Sequence, residues 1–326
     1  MITVRVVHEM GASEVARVRD LLVAAEAADG HRALGEHKWL DLTAGEPGRF
    51  TGLVAEDGGR LLGYAHLSVS SAGHFGLEVA VDPAYRSVGV GGIVVEGVGV
   101  EGGGVEGALV TAALDVAAAA GGGDLQFWVF QPDHAHDALV RALGFRLGRE
   151  LYQMRRSLPH PEAPRWPAGV TVRPFRPGVD DQRWLEVNNR AFATHPEQGV
   201  WTAQTLKERM GEAWFDPAGF LLAEDGEGLA GFCWTKLHRD DQLGEIHVIA
   251  TDPDRQGRGL GRALVLGGLA SMAARGVVTA MLYVDSANDS AVALYRRLGF
   301  DVHHADRAYV AHVVPSAGSP AGTASS

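Results

Sequence analysis

The 326-residue chain contains a single cysteine, Cys233. One thiol makes no internal disulfide and supplies no thiolate cage for zinc, so neither a disulfide scaffold nor a cysteine zinc site underlies the fold. Its setting in the apolar run Gly231-Phe232-Cys233-Trp234 reads as a buried, inert thiol. Long apolar runs are missing as well. Nowhere do about 18 uninterrupted apolar residues occur, and the first thirty residues lack a signal-peptide core. The expectation is a cytoplasmic protein with no membrane partner. Basic residues are outnumbered, 29 Lys and Arg against 40 Asp and Glu, for a net charge of −11. That balance opposes binding to phosphate backbones, so no nucleic-acid partner is expected. No Gly-Lys-Ser/Thr triplet and no G-x-S-x-G occur, which excludes the nucleoside-triphosphate loop and the serine nucleophile elbow.

What the chain has is glycine, 43 residues, and an ordinary 46% of apolar residues. So much glycine makes any glycine motif easier to meet by chance, and the G-x-G-x-x-G at Gly97, Gly99 and Gly102 follows no clear strand. At roughly 150 residues per domain the length suggests two domains. Ser157 to Gly169 holds four prolines, which disfavour helix and central strand. We therefore expect domains at 1–156 and 170–314, a Pro-rich linker at 157–169 and a small-residue disordered tail at 315–326.

The two halves repeat. Val81 to Gly92 (VDPAYRSVGVGG) and Thr251 to Arg262 (TDPDRQGRGLGR) superimpose without a gap, with Asp-Pro at 82 and 252 and glycines at 89 and 259, each 170 residues apart. The Leu-Gly-Phe triplets ending at 145 and 300 are 155 apart, so the first half carries about 15 extra residues between its motifs. Each half reads as strand, glycine loop, helix, strand, helix. In the second, residues 245–251 alternate at period two, with Ile246, Val248 and Ala250 on one face and Glu245, His247 and Ile249 on the other. Leu260, Leu264, Gly268 and Met272 recur at helical spacing before Gly276, Ala280 to Asp285 is a short strand, and Ser290 to Leu298 is a helix ended by Gly299.

A glycine turn that feeds a helix gathers free backbone N–H groups and the positive end of the helix dipole, a setting for pyrophosphate. The pattern [QR]-x-x-G-x-[GA] occurs twice between strand and helix, at Arg86 to Gly91 and at Gln256 to Gly261. Both loops resemble the acyl-CoA loop of the GCN5-related N-acetyltransferase (GNAT) superfamily, and Asn288 to Phe300 (NDSAVALYRRLGF) is similar to its closing motif. Within it, the chain resembles the mycothiol synthase family of tandem acetyltransferases, in Asn188 to Thr202, Gly231 to His238, Leu243 to Leu264 and Leu282 to Phe300, and more weakly in Leu34 to Leu42.

The resemblance implies an α/β fold of two tandem GNAT-type domains, each a mixed central sheet flanked by helices. It implies acetyl-CoA as co-substrate and no metal. Implied cofactor contacts are Ile249, Ala250 and Thr251 through their backbone, the loop Gln256, Gly257, Arg258, Gly259, Leu260, Gly261 and Arg262, and the helix start Asn288, Asp289, Ser290, Ala291, Val292 and Ala293. The first half offers Val79, Ala80 and Val81 with Ser87, Val88, Gly89, Val90, Gly91 and Gly92. Acetyl transfer to an amine needs a base and an acid. Glu245 is the candidate base, with His247 its rival by position, and the resemblance puts Tyr295 near the thioester sulfur as the acid. At the repeat offsets Phe75 and Val140 stand opposite Glu245 and Tyr295, so the first half is expected to be non-catalytic.

The implied acceptor is cysteinyl-glucosaminyl-inositol, a small thiol-sugar, with Glu36, Glu197, Lys236 and Tyr283 matching the family's acceptor contacts along with Glu245. Other readings are a tandem N-acetyltransferase acting on another small amine or a protein N-terminus, and a non-catalytic acyl-CoA sensor. A monomer is expected. Asp133, His134, His136 and Asp137 could form a metal site but read as a solvated run before a helix.

Overall fold

The structure is a computed structural model that describes residues 2–316 apart from 45–47, 49, 70–72, 87–92, 96–97, 101–103, 194–197 and 239–241. The chain divides into two compact units, Met1–Leu151 with Ala305–Ser326, and Tyr152–His304. The first half contributes β1 (Ile2–Val7), α1 (Ala12–Asp29), α2 (Glu36–Ala44), β2 (Phe50–Asp57), β3 (Arg60–Val69), β4 (His74–Val81), β5 (Ile93–Val95), β6 (Val98–Val100), α3 (Gly104–Ala119), β7 (Gly123–Val129), α4 (His134–Ala142) and β8 (Arg146–Ser157). The second contributes β9 (Thr171–Pro174), α5 (Asp181–Ala191), α6 (Ala203–Met210), β10 (Phe220–Asp225), β11 (Gly228–His238), β12 (Leu243–Thr251), α7 (Leu260–Ala273), β13 (Thr279–Asp285), α8 (Asp289–Arg297) and β14 (Asp301–Val313).

The units repeat one topology. In unit 1, β1 to β4 pair antiparallel in sequence and β4 then pairs parallel with β7. In unit 2, β9 to β12 pair antiparallel and β12 then pairs parallel with β13. The switch to a parallel pair needs a crossover helix, α3 in one unit and α7 in the other. These helices are apolar on most sides because they pack into the core, α7 through Leu260, Leu264, Leu269 and Met272 and α3 through Val105, Leu109 and Val110. Helix and sheet meet closely at a glycine in each unit. A Cβ built on Gly63 would lie 2.9 Å from Leu109 Cδ1, and one on Gly231 would lie 2.9 Å from Leu264 Cδ1.

The extra residues of the first half form β5 and β6, a hairpin whose first strand pairs parallel with β1. The final strands lie in the opposite halves of the chain from those expected. Residues 307–313 of β14 pair antiparallel with β7 in unit 1, whereas Met154 of β8 is fully buried in the core of unit 2. The expected domain limits at 156 and 314 thus give way to divisions inside β8 and β14. The Pro-rich segment belongs to unit 2 rather than bridging domains. Its Trp166 packs on α7, where a Cβ on Gly267 would come within 2.8 Å of the indole. The expected tail begins later than 315, since Ser316 N donates to Ala118 O at 3.0 Å, and 317–326 lie outside the described residues.

Candidate active site

The Asp-Pro pair of each repeat shapes the chain as it leaves the central strand. Asp252 Oδ1 accepts from Asp254 N at 3.0 Å and Asp82 Oδ1 accepts from Ala84 N at 2.9 Å, each starting a short 3₁₀ turn with proline in its first position. In unit 2, Asp252 also pairs with Arg190 of α5.

Strand β12 is not regular. Trp234 pairs with Val248 and Thr235 with Ile246, so His247 is an extra residue, a β-bulge. The bulge breaks the period-two alternation read from the sequence. Ile246 and Ile249 face the α7 core, and Val248 and Ala250 face a second, aromatic core built on Trp184, Trp201, Phe220 and Trp234. His247 turns to that aromatic side, its ring in edge contact with Trp214 at 5.0 Å and Trp234 at 5.5 Å between centroids. The β4 ladder of unit 1 runs on with no bulge.

Glu245 therefore sits in a polar cluster on the aromatic side. Its Oε2 pairs with His238 Nε2 at 2.8 Å and its Oε1 with His247 Nδ1 at 3.2 Å. Lys236, its cross-strand partner, is buried and holds Nζ 4.7 Å from the Trp214 ring centroid. Burial pushes the Glu245 carboxyl up, but the hydrogen bonds from His238 and His247 and the nearby Lys236 charge prevail and hold it well below the usual carboxylate range. His247 Nε2 is buried without a hydrogen-bond partner. Met281 stands opposite Glu245 in β13, which places Tyr283, two residues on, on the same sheet face. Tyr283 is exposed, and its hydroxyl accepts from Gln153 Nε2 at 2.7 Å.

On the other edge of β12 the parallel pairs with β13 end at Ile246 and Leu282, although both strands run on to Thr251 and Asp285. One edge of residues 247–251 is thus left without a strand partner among the described residues, with backbone groups available to a ligand. Beyond it, Gly257 and Gly259 take φ of 80° and 79°, and added Cβ atoms there would meet nothing within 4 Å. Gly259 precedes α7 without a side-chain cap. The first-turn N–H groups of α7 therefore face an open corner, and this corner fits a phosphate-bearing ligand. Asn288 caps α8, its Oδ1 accepting from Ala291 N at 3.2 Å.

Tyr295 lies in the α7 core with its ring in edge contact with Phe300, and burial pushes its hydroxyl up. Cys233 is fully buried, its thiol pushed up to about 12 by desolvation. Glu36 opens α2 in unit 1 with its side chain outside the described ones, and Glu197 and Ser87 to Gly92 lie outside the described residues. Asp133 and His136 form a capping box that starts α4, which accounts for their pairing. The sequence reading missed His238 and Trp214. His238 lies two residues beyond Lys236 on one strand, a period-two spacing that could have paired them.

A second match between the units comes from the helix that follows each glycine turn. Leu109 and Leu264 make the same contact in the two units and are 155 residues apart, so by that contact Gly259 to Arg262 correspond to Gly104 to Gly107, while 87–92 and 101–103 lie outside the described residues. Gly104 has φ of 63°, like Gly259, and Glu106 falls where Gly261 stands. By the same strand registers Glu245 stands opposite Gly76 rather than Phe75, again not a titratable residue, and Val140 opposite Tyr295 is buried core. Unit 1 has a cavity of about 870 Å³ beside this corner, lined by Val79, Ala80, Val81, Arg86, Glu106 and His136 among others.

Comparison with known proteins fits this geometry. Residues 183–300 match the Acetyltransferase (GNAT) family model. Mycothiol acetyltransferase of Nocardia farcinica is 42% identical over 319 residues, covering 95% of this chain and 98% of the relative. The chain belongs to the mycothiol acetyltransferase family. A second member, from Thermobispora bispora, is 42% identical over 91% of this chain and 96% of its own. Two solved structures share the fold. A GCN5-related N-acetyltransferase from Sphaerobacter thermophilus aligns with a TM-score of 0.71 at 22% identity over 96% of this chain and 97% of that one. A tandem GNAT protein from the clavulanic acid biosynthesis pathway aligns with a TM-score of 0.72 at 18% identity over 97% and 100%.

Proposed function

We propose that this mycothiol acetyltransferase family member transfers the acetyl group of acetyl-CoA to the cysteine amine of cysteinyl-glucosaminyl-inositol, giving mycothiol and CoA. The observation that carries the reading is the 42% identity extending over 95% of the chain to a relative of that name. A likeness restricted to the cofactor corner would have left the acceptor open. The alternatives, another amine or a non-catalytic sensor, have no observation of their own to favour them.

The reading locates the reaction in unit 2. The uncapped start of α7 and the open glycine corner suit the pyrophosphate of acetyl-CoA, and the unpaired edge of residues 247–251 suits its acyl and pantetheine arm. Acetyl-CoA supplies the activated thioester. Tyr295, buried and kept protonated at neutral pH, is suited to return a proton to the departing thiolate. Lys236, Tyr283 and the Glu245 cluster share one sheet face that would receive the amino-sugar. An α-amine with pKa near 7.7 to 8.0 is about a tenth neutral at pH 7, so only modest base assistance is required. At the corresponding corner of unit 1 the side chain of Glu106 stands where unit 2 has Gly261, which favours acetyl-CoA binding on unit 2.

The test is mass spectrometry of the product formed by the full chain from acetyl-CoA and cysteinyl-glucosaminyl-inositol. A mass gain of one acetyl group on the cysteine amine supports the reading. No product with this acceptor, alongside acetylation of other amines, removes it.

A further inference from the structure

We infer that His238, not Glu245, receives the proton of the attacking amine, with Glu245 behind it as the carboxylate that orients the imidazole and balances its charge. The inference rests on the acetyl-transfer reading above and assigns a residue the sequence comparison of the repeats did not single out. It follows from which atoms of the cluster remain available. Both Glu245 oxygens are engaged, Oε2 by His238 and Oε1 by His247, and the carboxylate side chain is only 12% exposed. A carboxylate held ionised by two imidazole partners is a weak proton acceptor.

His247 is closed off too. Its Nδ1 meets Glu245, and its Nε2 is buried without a hydrogen-bond partner while the ring lies against Trp214 and Trp234. His238 likewise gives one ring nitrogen to Glu245, and the two side chains are similarly exposed, 17% for His247, but the free nitrogen of His247 is buried against the indoles whereas that of His238 is not. His238 Nε2 meets Glu245 at 2.8 Å, its Nδ1 has no hydrogen-bond partner among the described residues, and its side chain is 20% exposed. An Nε2–H donated to a carboxylate fixes the tautomer and leaves Nδ1 with a free lone pair. The carboxylate then stabilises the imidazolium that forms, the division of labour found wherever a buried acid backs a catalytic histidine. Among the described residues, Lys236 on β11, Glu245 and His247 on β12 and Tyr283 on β13 are titratable groups that share this face.

In the step itself the amine lone pair forms the N–C bond to the acyl carbon, and the nitrogen gives one proton to His238 Nδ1. The C–S bond breaks with its electron pair leaving on sulfur, which takes a proton from Tyr295. The imidazolium then returns its proton to water, and the phenol is reprotonated from solvent.

The experiment is the pH dependence of kcat/KM for cysteinyl-glucosaminyl-inositol with the full chain, its His238→Gln and His238→Ala variants and Glu245→Gln. If His238 is the base, two groups must be deprotonated in the wild type, the amine and the imidazole, so log kcat/KM falls at low pH with a limiting slope of two. In His238→Gln turnover drops by about 10²- to 10⁴-fold, the slope becomes one, and acetyl-CoA affinity is unchanged. Added imidazole should restore part of the activity of His238→Ala, which a merely structural role would not allow. A limiting slope of one in the wild type overturns the inference whether or not the variants fold. So does a His238→Gln protein within threefold of wild type beside an inactive Glu245→Gln. A wild type that leaves this acceptor untouched refutes the acceptor assignment instead, and the slope is then read with the amine that it does acetylate.

Discussion

Glu106 occupies in unit 1 the position that Gly261 occupies in unit 2, two residues after the left-handed glycine at the start of each helix, Gly104 and Gly259. Glu106 is held there with its carboxylate 3.6 Å from His136 Nε2, and burial pushes its carboxyl up. At Gly261 an added Cβ would meet only Thr251 Oγ1 at 3.7 Å, so a side chain there is tolerated by the protein and intrudes on whatever the corner holds.

Gly261→Glu, which copies unit 1 into unit 2, should therefore abolish acetyl-CoA binding and turnover without unfolding the chain. The reciprocal Glu106→Gly should leave turnover within a few-fold of wild type. Calorimetric titration with acetyl-CoA and steady-state rates on both variants measure this. Equal loss in the two would show that unit 1 takes part in the reaction.

Tyr295→Phe should slow acetyl transfer by roughly 10²-fold, the low end for loss of a general acid, at unchanged acetyl-CoA affinity. The ring keeps its packing on Phe300 and its place in the core, so the folded state loses little. A variant with full activity and a lowered melting temperature would make Tyr295 a packing residue only.

The fold was legible where one element speaks for itself. The α7 stripe of Leu260, Leu264 and Met272, the strand at 280–285 and the Gly299 stop, with φ of 76°, are set by local periodicity and a left-handed cap. Three things were not local. The bulge at His247 is visible only when β12 is paired with β11, and it moved Val248 to the other face from Ile246. The correspondence of Glu106 with Gly261 appears only through the Leu109 and Leu264 contacts, because the extra residues of the first half carry glycines of their own. The seats of β8 and β14 depend on contacts far along the chain, as between Arg307 and Val129. Of the site, Glu245, Lys236 and Tyr283 were readable from the resemblance and are brought to one face. His238 escaped because a histidine at a strand end carries no signal until its carboxylate partner is seen.

Asp180 offers a stability test outside the site. It is fully buried, accepts from Arg173 Nη1 at 2.6 Å and from Arg176 N at 2.8 Å, and pairs with Arg183. Burial pushes its carboxyl up, but the Arg173 and Arg176 hydrogen bonds outweigh this and leave it below the usual value. Asp180→Asn should cost about 3 kcal/mol at pH 7, as expected when one partner of a buried ion network is removed. A folded value below the unfolded one means that the stabilisation is complete above the unfolded pKa near 3.9 and is lost as pH falls through the folded value. Urea unfolding should therefore show the wild type and variant converging in acid. A gap that stays constant from pH 7 down to pH 3 would remove the ionic explanation.

Glu245→Gln separates the two roles open to this carboxylate. Glutamine keeps the size of the side chain and can still meet one imidazole, but it carries no charge to set against an imidazolium. Turnover should fall by roughly 10²- to 10⁴-fold at neutral pH. If Glu245 were the base, the residual rate would follow the amine ionisation alone. With His238 as the base, the ionisation of the imidazole remains in the profile. The acid limb of kcat/KM should therefore keep its limiting slope of two. The measurement is the full pH profile of Glu245→Gln beside that of His238→Gln, whose limb has a slope of one. Identical profiles in the two variants would mean that the pair acts as one unit in which neither residue alone holds the proton, and the assignment of the base to His238 would fall.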